Sequence, residues 1–154
     1  MSHDLKNRID VEIKQLRQLL ETHAGLLLKC RTSDPNADEI AALAAILHAF
    51  YTGIENIFKR IAVEHDGKAP EGPYWHSELI ELMVCGQGHR PPLLSASLSE
   101  MLQEYLDFRH VFRQAYSFEL KWDKMRHLVC NIEAVFRSFE AECNNFILKL
   151  FPEN

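Results

Sequence analysis

Residues 36–61 read NADEIAALAAILHAFYTGIENIFKRI. Within this stretch Ile40, Leu43, Leu47, Phe50, Ile54, Ile57 and Ile61 follow one another at alternating intervals of three and four residues. That spacing lines apolar side chains along one face of a helix and offers a seam for neighbouring helices. Asn36 followed three residues later by Glu39 has the form of a capping box, in which the amide oxygen and the carboxylate satisfy each other's free backbone N–H groups. Gly67, just beyond Asp66, reads as the stop.

The same period extends outward in both directions. Leu5, Ile9, Ile13, Leu16, Leu20, Leu27 and Cys30 draw one stripe along a long helix over 5–30, and RTSDPNADEI at 31–40 separates it from the next. After the second helix, DGKAPEGPY at 66–74 is the longest turn-rich loop, followed by a short helix over roughly 75–85. Gly86, Gly88 and Pro91-Pro92 break the chain again, and Ser97 with Glu100 offers a second capping box for a long helix through about Leu120. Asp123 reads as the cap of a final helix seamed by Met125, Leu128, Ile132, Val135, Phe139, Phe146 and Leu150. No segment of four to eight residues sustains strand alternation. The expected architecture is all-α: an up-and-down four-helix bundle with one additional short helix, in a single domain over 1–154.

Composition narrows the class of function. With 154 residues, 47% apolar, 25% charged, 6 Gly and 6 Pro, the chain is neither collagen-like nor low-complexity nor a repeat array. No uninterrupted apolar run approaches the ~18 residues of a membrane span, and the opening MSHDLKNRID is charged where a signal peptide is greasy, so a cytoplasmic protein with no membrane partner is expected. Seventeen Lys and Arg against 22 Asp and Glu give a formal charge of −5. Such a field repels polyanions, and nucleic-acid binding then requires a local or shared basic cleft. Cys30, Cys85, Cys130 and Cys143 lie far apart with no CxxC, so reduced thiols are expected rather than a zinc site or a disulfide scaffold.

The polar residues of EYLDFRHVFRQAYSFEL at 104–120 are the unusual part of the chain. At ~100° per residue, Arg109, Arg113 and Tyr116 fall within a narrow arc, with His110 and Gln114 one turn apart on the adjoining strip. Two arginines at i and i+4 repel on an isolated helix, so either an anionic partner faces them, phosphate or carboxylate, or they pair on the surface with Glu104, Asp107 or Glu119. Asp107 to His110 is the sole carboxylate-x-x-His, with Arg109 between the two, whereas a di-metal bundle needs Glu-x-x-His on two helices; no metal is expected. His76 reads as helix-start structure, and His3, His23, His48, His65, His89 and His127 as structural or solvent-facing. Tyr51, Phe58 and Phe112 add apolar area beyond a single seam, which fits a homodimer.

These residues also carry a resemblance. The pattern Arg, four residues, His, one residue, Tyr is the signature of HepT-like toxins, a branch of the HEPN superfamily, and Arg109, Gln114 and Tyr116 stand at those positions. FYTGIENIFKRIA at 50–62, PEGPYWHSELIELM at 70–83, RPPL at 90–93 and YLDFRHVFRQAY at 105–116 are similar to that family in order and spacing. The resemblance implies an HEPN-like helical bundle that dimerises so that two motif copies face one cleft. It implies the toxin half of a type VII-like toxin–antitoxin pair, a metal-independent endoribonuclease acting on RNA, with no cofactor and no DNA substrate. Arg109, with Arg113, would hold the scissile phosphate, position 114 would supply the acid/base imidazole, and Tyr116 would receive AMP from a cognate MNT-type nucleotidyltransferase antitoxin. Gln114 departs from the pattern: an amide hydrogen-bonds but does not titrate, which leaves either an attenuated or inactive enzyme or a module that docks the nucleotidyltransferase or its nucleotide without cutting. His110, one turn before Gln114, is a candidate catalytic replacement, and alternatively a phosphate contact or packing residue.

Overall fold

The computed structural model describes residues 2–152; the side chains of Ser2, His3 and Ser117 lie outside that description. Six α-helices follow in order: α1 Ser2–Thr22, α2 Ala24–Lys29, α3 Ala37–Arg60, α4 Trp75–Cys85, α5 Ala96–Gln114 and α6 Trp122–Leu150. No strand occurs among the described residues, and the one bridge, between Gln87 and Arg90, closes a turn. Helices α1, α3, α5 and α6 form the four-helix bundle, α2 follows α1 directly, and α4 is the additional short helix. Side chains from all six meet in one core, including Ile9, Leu27, Phe50, Leu79, Leu102 and Phe139.

Helix α3 is built as its seam requires. Asn36 Oδ1 accepts from Glu39 N–H at 2.8 Å and Glu39 Oε1 accepts from Asn36 N–H at 3.0 Å, completing the capping box. Leu43, Leu47, Phe50, Ile54, Ile57 and Ile61 are buried. The helix widens into a π turn over Ile61–His65 and stops where Gly67 takes φ +87°. By length and composition Ala37–His65 is apolar enough to cross a membrane, a property the absence of an unbroken apolar run concealed; it is instead the most buried helix of the bundle. Tyr51 and Phe58 are also wholly buried here, so their apolar area is spent within the chain and does not argue for a dimer.

Four boundaries differ from the sequence reading. The first long helix breaks at His23, whose φ −107° and ψ 15° leave the helical region just before Gly25. Helix α5 is capped by Ser95, not Ser97: its hydroxyl accepts from Leu98 N–H, and Glu142 of α6 takes the Ser95 N–H at 2.5 Å and hydroxyl at 2.9 Å, filling the role of the reciprocal glutamate from another helix. Helix α6 starts at Trp122 with no side-chain cap, and Asp123 lies in its first turn, where a carboxylate favours the helix dipole. Most consequential, α5 ends at Gln114; Ala115 is extended, and a single 3₁₀ turn over Ser117–Glu119 leads to α6.

The RPPL stretch is structural. The Arg90 side chain is fully buried, donating from Nε to Asp66 at 2.7 Å and from its two terminal nitrogens to the carbonyls of Pro91 and Leu82. It pins the 86–94 loop to the end of the π turn. Gly86 takes φ +76°, and a Cβ there would lie 2.7 Å from the Arg90 carbonyl oxygen, so only glycine fits this turn.

Candidate functional site

The candidate residues of α5 meet α3 and α4 around one buried carboxylate. Glu55 of α3 is 1% exposed, and Arg109 donates to its Oε1 at 2.9 Å. His76 Nδ1 lies 2.6 Å from its Oε2, and Lys59 Nζ 3.8 Å from Oε1. One buried carboxylate thus gathers a guanidinium, an imidazole and an ammonium from three helices, which is how an isolated buried charge is stabilised. Arg109 therefore does not pair on the surface with Glu104, Asp107 or Glu119; its side chain is only 12% exposed and its partner is internal.

Around this pair the packing is aromatic. Helices α3 and α5 run antiparallel, so that Tyr51 and Glu55 meet Arg109 while His48, two turns earlier, meets Phe112 at 5.2 Å between ring centroids. The Arg109 guanidinium stands 5.9 Å from the Tyr51 ring centre. Burial pushes the Tyr51 phenol well above the ordinary tyrosine range, with Glu55 reinforcing the shift, and its buried hydroxyl has no partner. On the other side His76 stacks on Trp75 and faces His110 edge-on at 5.6 Å, and Lys59 sits 4.6 Å from the Trp75 ring.

The remaining predicted residues are at the exposed end of α5. His110, Arg113 and Gln114 are exposed. Because the helix ends at Gln114, Tyr116 does not share the helical arc of Arg109 and Arg113; it lies in the following turn, 71% exposed, its ring parallel to that of Phe118 at 5.5 Å. Arg109, His110 and Arg113 thus lie within the last two turns of α5, with Arg109 turned inward to Glu55 and the His110 ring toward His76, and Tyr116 follows in the next turn. A cleft of about 370 Å³ between α5 and α6, lined by Phe108, Val111, Met125 and Leu128 among others, includes none of these residues.

Two groups escaped the sequence reading. Glu55 lies on the buried face of α3, one turn after Tyr51, and an acidic residue on an apolar stripe was the available signal. By sequence His48 is one of the scattered histidines, yet its half-buried ring is held on the arginine side of the bundle. Burial, and then the positive charges of Arg109 and Arg113, hold its imidazole below the usual histidine range.

An all-helical bundle with Arg109 near the end of its penultimate long helix is consistent with a HEPN-like fold. A family model described as "HepT-like protein" matches residues 42–150, well over half of the chain, and the chain belongs to that family. No curated protein and no solved structure matches it.

Proposed function

We propose that the chain is the HepT-like component of a toxin–antitoxin pair, acting in the cytoplasm as a homodimer whose two α5 helices form an RNA-binding cleft. The observation that carries this reading is the Arg109–Glu55 pair: the buried carboxylate bonds Nη1 and fixes the guanidinium, and a phosphate would take the donors of the fork that this bond does not use. Arg113, exposed one turn further on, adds a second cation. RNA cleavage at the 2′-hydroxyl needs proton transfer and stabilisation of the phosphorane charge. Arg109 and Arg113 serve the second need; Gln114, in the position the resemblance gives to histidine, cannot serve the first. Tyr116 presents an accessible hydroxyl to a nucleotidyltransferase antitoxin, which would attach AMP to it.

The test compares cleavage of a labelled single-stranded RNA by the natural chain and by Gln114→His. The substitution is expected to raise the rate at least ~10²-fold, the low end of a general acid/base contribution. Light scattering should give twice the 17.9 kDa chain mass at micromolar concentration. A monomer, or no cleavage by either form, defeats the enzyme reading. The exposed Tyr116–Phe118 pair beside a non-titrating Gln114 favours one second reading, a module that docks the nucleotidyltransferase or its nucleotide without cutting. That reading is met if neither form cleaves RNA but the nucleotidyltransferase is retained.

A further inference from the structure

Position 114 lacks an imidazole, yet the arginine site has one from another helix. His48 lies on the same strip of α3 as Glu55, seven residues and thus about 10 Å nearer the end of the site where Arg113 emerges. Its ring is held against Phe112, the residue before Arg113, whereas the His110 ring turns toward His76 on the α4 side. Nδ1 of His48 is buried without a hydrogen-bond partner, and the residue as a whole is half-buried.

We propose that His48 is the general base of the arginine site, its Nε2 taking the proton of the 2′-hydroxyl of an RNA strand whose phosphate Arg109 and Arg113 hold. This rests on the RNA-cleaving reading above. The freed 2′-oxygen attacks phosphorus, the bond from phosphorus to the 5′-oxygen breaks, and that oxygen takes a proton from solvent water. The products are a 2′,3′-cyclic phosphate and a 5′-hydroxyl, and the imidazolium returns its proton to water.

The electrostatics suit a base that is switched on by its substrate. Burial, and then the charges of Arg109 and Arg113 of α5 that face the ring, disfavour its cation, so in the empty site the imidazole gives up its proton more readily than a free histidine does. Phe112 contributes only apolar surface. A phosphate seated between the guanidiniums offsets their charge and raises the basicity of His48 as the reaction begins. The anionic phosphorane then stabilises the imidazolium beside it.

The experiment has two parts. Histidine Cε1–H resonances are titrated by NMR without and with uridine 3′-monophosphate, His48→Gln identifying the His48 signal. Its midpoint is expected below the ordinary ~6.5 in the free protein and higher with the nucleotide. Cleavage of single-stranded RNA is then followed against pH for the natural chain, His48→Gln and His127→Gln. His48→Gln should lose at least ~10²-fold in rate and the limb that follows the His48 midpoint, with unchanged helicity. His127→Gln, on exposed α6 surface paired to Glu104, should match the natural chain. An unaltered rate and profile in His48→Gln overturns the proposal, as does a His48 midpoint that ignores the nucleotide. Cleavage by Gln114→His but not by the natural chain overturns it while leaving the RNA reading standing; cleavage by neither removes both.

Discussion

Glu55→Gln separates the role of charge at the centre of the site from the role of shape. Glutamine keeps the volume and the oxygen that accepts from Arg109, and its NH2 can donate to a neutral His76 Nδ1, so both contacts can persist while the negative charge is lost. A hydrogen bond to a charged group contributes about 1.5–3 kcal/mol against about 0.5–1.5 kcal/mol for a neutral one. The bonds from Arg109 at 2.9 Å and His76 at 2.6 Å are both affected. Two such losses amount to about 2–3 kcal/mol, below the ~3–5 kcal/mol of stripping a buried ion of its partner altogether. Lys59, half exposed at 3.8 Å, adds little. For a domain of this size each kcal/mol moves the melting temperature by about 2–4 °C, so Glu55→Gln should melt about 4–12 °C lower. Differential scanning calorimetry and urea unfolding measure it. The double variant Glu55→Leu/Arg109→Met should be more stable than either single change, because it removes both charges together. A Glu55→Gln protein melting within 1 °C of the natural chain, or singles that simply add in the double, would refute the coupling. It follows that Arg109→Ala confounds function with folding, and Arg109→Lys, which keeps a cation for Glu55 but loses the planar fork, is the cleaner probe of phosphate binding.

Two further outcomes are expected. Arg90→Ala should cost about 3–5 kcal/mol in urea unfolding, since it leaves Asp66 buried without its cation and frees two carbonyls, and a loss under 1 kcal/mol would remove the pinning role. The lowered pKa of His48 means that the unfolded chain binds its proton first; stability contributed there is complete above the unfolded value near ~6.5, declines as pH falls through it, and levels off below the folded value. His48→Gln should flatten that part of the stability–pH curve, and a curve identical to the natural one would contradict the depressed pKa.

The helices were legible because their apolar residues recur at intervals that no other local structure explains; α3 and α4 were placed within a few residues, and the Asn36 capping box to the atom. What failed was local punctuation decided at a distance. Ser95 and Ser97 are equally plausible caps by type, and Glu142, 47 residues away, selects Ser95. Nothing in RQAYSFEL marks the end of α5 as strongly as a proline would, so Tyr116 was placed on a helical arc it does not occupy. At the site, Arg109, His110 and Arg113 were visible as an unusual polar strip on one helix. Their partners were not, since helical spacing shows that Glu55 and His48 share a strip of α3 but not which strip of α5 meets it.

That meeting also resolves the tension between a chain of net charge −5 and an anionic ligand. Glu55 offsets one positive charge at the site, which weakens attraction for a free phosphate. A guanidinium has five N–H donors, and the hydrogen bond to Glu55 engages one of them through Nη1. The bond also fixes the plane of the fork, which lowers the cost of ordering the guanidinium for any ligand that uses its remaining donors. A site that gives up net charge for fixed direction discriminates by geometry rather than by field. Under the RNA-binding function proposed above, a chain of net charge −5 would favour a strand whose phosphate reaches both Arg109 and Arg113, and a second copy of the strip from a partner subunit would be the most direct way to recover the attraction that Glu55 removes.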